Sequence, residues 1–82
     1  MTTVRVRAYQ DFGMIFKNVG IVSVNESSLD KLEGRLEEIR KSKNSNIYYF
    51  KLPGTNNERC AHSIHGIVVK AYEYFGKNRE AI

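Results

Sequence analysis

Eighty-two residues, 41% of them hydrophobic and 27% charged, predict one folded domain: the composition excludes a disordered tail, and this length leaves no room for a separate catalytic domain within it. The single cysteine, Cys60, excludes an internal disulfide and any paired-cysteine zinc motif. The net charge is +4, and five acids balance five bases between Glu26 and Lys43, so the surplus lies elsewhere. It comes from Arg5, Arg7, Lys17, Lys51, Arg59, Lys70, Lys77 and Arg79 against Asp11, Glu58, Glu73 and Glu80. A basic excess of this size attracts polyanions without requiring them.

At the N-terminus, Arg5, Arg7 and Asp11 interrupt the apolar run that a secretion signal needs. The uncharged stretch Cys60 to Val69 is too short to span a bilayer, and no lipidation signal is visible. The expectation is a cytoplasmic protein with no membrane partner, in which the sequon Asn25-Glu26-Ser27 is a chance match.

Thr3 to Tyr9 alternates, with Val4, Val6 and Ala8 on one side and Arg5, Arg7 and Tyr9 on the other, which predicts a half-buried strand. Gln10 to Gly13 reads as a turn. Met14 to Val24, rich in β-branched and aromatic residues but interrupted at Asn18 and Gly20, predicts one bent strand with a bulge or two short strands in a hairpin.

A helix then follows, capped by Ser27 or Ser28 and running to about Lys43. Leu29, Leu32, Leu36 and Ile39 form its apolar stripe, and Gly34 falls on the solvent side. After a polar loop at residues 43–46, Asn46 to Leu52 predicts a strand ended by Pro53-Gly54. The second helix is expected from about Glu58 to Phe75, capped by Asn56 or Asn57 and stopped at Gly76.

This order predicts an α/β domain of the α+β type: a two-layer β-β-α-β-α sandwich. Its small mixed sheet, of three or four strands, carries both helices on one face. The first two strands should be antiparallel. The strand–helix–strand passage should be a right-handed crossover that creates a parallel pair.

Three places could carry function. The first is the uncovered sheet face, where Arg5, Arg7, Tyr9, Tyr49 and Lys51 would stand together with Ile47. Cations hold phosphates and rings stack on bases, so this set suits single-stranded nucleic acid, although Arg and Tyr also serve simply as soluble strand residues. The second is Cys60-Ala61-His62-Ser63-Ile64-His65. On a helix, Cys60 and His62 would point about 160° apart, so they cannot share an ion, and Cys60 falls on the core stripe with Ile64, Ile67 and Phe75.

The third is the breadth of the second helix's apolar arc. Its strip His65, Val69 and Tyr72 would touch either the first helix or a second copy of the chain in a homodimer. No phosphate loop, dinucleotide turn or carboxylate pair is present, so neither a catalytic residue nor a cofactor nor a metal site is expected. These features together predict a small non-enzymatic binding module, for nucleic acid or for a protein partner that it regulates or inhibits. The abundance of Asn, Lys, Ile and Tyr suits a viral or mobile-element accessory protein.

Overall fold

The computed structural model describes residues 3–77; Arg79 and Glu80, counted above in the charge balance, lie outside them. Strands β1 (Val4–Asp11), β2 (Phe16–Val24), β3 (Ile47–Lys51) and β4 (Arg59–Ala61) form one sheet in the order β2-β1-β3-β4. A 3-10 turn at Glu26–Lys31 leads into helix α1 (Leu32–Lys43), and helix α2 (Ile64–Tyr74) follows β4. Both helices cover the same sheet face, because Leu32, Leu36, Ile64, Ile67, Val68 and Ala71 belong to one buried cluster with Val4, Val6, Ala8, Tyr48 and Phe50.

Alternation dictates which face this is. Val4, Val6 and Ala8 are fully buried, and Arg5, Arg7 and Tyr9 leave from the other side of β1. The bulge expected in the second strand lies at Val19: Ala8 faces Gly20, but Tyr9 faces Asn18. Gly20 then lets α1 approach closely, since a Cβ there would meet Ile39 Cδ1 at 2.8 Å.

The helix starts are set by side-chain caps. Asn25, not Ser27 or Ser28, caps the first helical segment: its Oδ1 accepts the Ser28 N–H at 3.1 Å, and Ser28 Oγ accepts the Asn25 N–H at 3.0 Å. α1 ends at Asn44, which takes a left-handed conformation with φ of 56° and donates its N–H to the Arg40 carbonyl. Among the described residues no helix is long and apolar enough to cross a membrane.

Four further sequence-based expectations need correction. The sheet is wholly antiparallel, not mixed. β2 and β3 do run in the same direction, but β1 lies between them, so the crossover through α1 passes over an occupied position and no adjacent parallel pair forms.

The second helix starts at Ile64, not near Glu58. Ser63 is extended at φ −129° and caps α2 by accepting the Gly66 N–H, while residues 59–61 pair with Tyr48 to Phe50 as a strand. Cys60 is therefore exposed, because pairing with Tyr49 turns it away from the core it was expected to join. Ile47, expected to face outward into solvent, is 5% exposed, although it pairs with Tyr9 on the uncovered side and lies outside the core cluster.

Candidate binding face

The uncovered face is built as rows across the strands. The first row is Ser23, Arg5 and Lys51; the second is Ile21, Arg7, Tyr49 and Cys60; the third is Asn18, Tyr9 and Ile47. The structure thus brings Arg5, Arg7, Tyr9, Tyr49 and Lys51 onto one face. Arg5 and Lys51 are exposed, whereas Arg7, Tyr9 and Tyr49 are half-buried.

The middle of the face is tied together. Arg7 Nε donates to Glu58 Oε2 at 2.9 Å, and Arg7 Nη2 pairs with Glu58 Oε1 to complete a two-pronged contact. This hydrogen bond to Glu58 raises the Arg7 pKa further, on a group that is already permanently charged. The Arg7 guanidinium also lies 5.5 Å from the centre of the Tyr9 ring. Tyr9 in turn meets Tyr49 edge to face, with centroids 5.5 Å apart and planes at 89°. Desolvation, and after it the neighbouring Cys60 thiol, pushes the Tyr49 phenol above its ordinary pKa.

At one end of this face the β1–β2 hairpin closes in a turn of fixed geometry. Phe12 N–H bonds the Ile15 carbonyl at 2.9 Å, Gly13 N–H bonds Asp11 Oδ1 at 2.8 Å, and Gly13 has a φ of 90° that favours glycine. Asn46 braces the turn from below, accepting the Asp11 N–H on Oδ1 and donating its own N–H to the Tyr9 carbonyl. On this braced turn Phe12 is 61% exposed, Met14 100% and Ile15 66%; Phe16 (49%) begins β2, and Ile21 (56%) is exposed further along it, opposite Arg7.

At the opposite end, Thr3, Arg5, Ser23, Lys51 and residues 52–56 line an open groove. The Leu52–Thr55 turn forms its wall, closed by the Thr55 N–H on the Leu52 carbonyl at 3.3 Å.

The strip expected on the second helix is divided. Tyr72 packs against the core, Val69 is half-buried, and His65 is exposed. His62 and His65 line a cleft with Glu37 and Arg40. Among the described residues no group of three or more His, Cys, Asp or Glu side chains is placed to hold a metal ion.

Three contributors to the face escaped the sequence. Glu58 and Cys60 were assigned to a helix that starts later, and the apolar hairpin was taken as strand and turn. The signal for the hairpin was present: Phe12, Met14, Ile15 and Phe16 crowd around Gly13, and apolar residues at a tight turn cannot all be buried. Comparison with known proteins finds no matching family model, no matching curated protein and no matching solved structure.

Proposed function

We propose that this chain is a non-catalytic docking module that binds another protein through its hairpin and the adjoining part of the open face. One observation carries the reading: of the six exposed large hydrophobic side chains among the described residues, Phe12, Met14, Ile15 and Phe16 stand together on the hairpin, Ile21 lies further along β2 in the row of Arg7, and Tyr74 lies on α2. Apolar side chains exposed in a group, on a turn held by three backbone-anchored hydrogen bonds, lose little freedom when a partner covers them. Met and Phe are also side chains enriched at the centres of protein interfaces. The partner's complementary feature is an apolar groove wide enough for Met14 and the flanking rings.

Single-stranded nucleic acid is served less well by the same face. Glu58 neutralises Arg7, and the Tyr9 and Tyr49 rings pack edge to face, which leaves less open ring surface for a base.

The test is a photo-crosslinking amino acid placed at Met14 in the producing cells, with Lys41 on the helical layer as control. The expected result is a protein adduct of one defined mass, formed from Met14 only and abolished by Ile21→Glu. A nuclease-sensitive adduct, an adduct twice the mass of this chain, or equal adducts from both positions would overturn the proposal.

A further inference from the structure

The open face treats its cations unequally. Arg7 is neutralised by Glu58, but one row away Arg5 and Lys51 are paired across β1 and β3, and among the described residues neither has an ion pair or side-chain hydrogen bond. Like charges directly opposite on neighbouring strands destabilise the pairing, so the arrangement is unfavourable unless an anion completes it. The third strand of the row offers Ser23, a hydroxyl and not a carboxylate. Among the described residues no acid lines the groove around them: its other walls are Thr3 and residues 52–56, with the turn held by Thr55 Oγ1 donating to the Leu52 carbonyl at 2.8 Å.

We propose that this groove is a binding site for a phosphomonoester dianion. The charge count decides the class. Two fixed positive charges are matched by one phosphate group carrying close to two negative charges, whereas a carboxylate would leave one charge unmet. Arg5 supplies a planar fork for two oxygens, Lys51 a point charge for the third, and Ser23 and Thr3 hydroxyl donors at the rim. The site lies at the end of the sheet away from the hairpin and does not depend on the docking proposed there.

The experiment is an amide NMR titration with sodium phosphate at pH 7.5, against sodium chloride of matched ionic strength. The expected result is a saturable set of shifts confined to residues 3–5, 23 and 51–56 and absent with chloride. Arg5→Gln and Lys51→Gln should each weaken binding about tenfold or more, the loss of one charge-assisted hydrogen bond. Met14→Ser, on the hairpin at the other end of the sheet, should leave it unchanged. At pH 5, below the second pKa of inorganic phosphate and of a phosphomonoester alike, affinity should fall as the dianion becomes a monoanion.

A phosphoserine peptide and a nucleoside 5′-monophosphate, titrated separately, identify the carrier, and binding of either at least as tight as inorganic phosphate supports the site. Shifts equal to those in chloride, shifts spread over the helical layer, or tighter binding of an oligonucleotide lacking a terminal phosphate would overturn the proposal.

Discussion

Tyr48 turns inward, where its hydroxyl meets the Ser45 hydroxyl at 2.9 Å and satisfies a serine that is only 4% exposed, while Tyr49 turns outward to Tyr9 and Cys60. This difference has a pH signature. The Tyr49 pKa lies above its ordinary 10.0, so the folded state holds that proton more tightly than the unfolded chain does. Its effect on stability is nil below the ordinary value and becomes a loss as the pH rises through the folded value. Urea midpoints measured between pH 9 and 11 should therefore fall less steeply for Tyr49→Phe than for the parent. Cys60, exposed beside this phenol, should react quickly with a thiol reagent in the folded protein, and protection until unfolding would contradict its place on β4. The sequence misled here for a definite reason. Cys60 stands four and seven residues before Ile64 and Ile67, so a strand residue continued the stripe of a helix that begins only at Ile64.

At the level of the element, local chemistry explains what could be read and what could not. The first helix was legible from its Leu and Ile stripe, although its first turn, Glu26–Lys31, is 3-10 and is capped by Asn25 rather than by a serine. β4 was not, because three residues are too few for an alternation to register, and only pairing with Tyr48 to Phe50 makes them a strand. The glycines offer a quantitative check on these assignments. At Gly34 in α1 and Gly66 in α2 an added Cβ meets nothing within 4 Å, so Gly34→Ala and Gly66→Ala should each stabilise the fold by about 0.5–1 kcal/mol. Gly20→Ala should destabilise it by about 1 kcal/mol, softened because the obstructing Ile39 Cδ1 is the end of a flexible side chain. Chemical denaturation of the three variants measures all of these. A stabilising Gly20→Ala would mean that α1 does not lie on the β2 bulge as described.

For the molecule as a whole, the two-layer arrangement was legible because both helices and the strands show one apolar face each. Strand order was not, since alternation says which side of a strand is buried and nothing about its neighbours. Parity did place Arg5, Arg7, Tyr9, Tyr49 and Lys51 together; it could not show that Glu58 would neutralise one of the cations and leave Arg5 and Lys51 unmatched. The strand order also bears on how the chain assembles. β1 is the first strand in sequence yet sits inside the sheet, flanked by β2 and β3. Its hairpin with β2 needs only a short loop and closes within microseconds, but its other edge stays open until β3 arrives from beyond the whole of α1. During that interval the emerging chain exposes an unpaired backbone edge on the strand that carries Val4, Val6 and Ala8, all fully buried at the end. The β1–β3 seam is therefore the entropically costly step of folding and the period of greatest vulnerability to self-association.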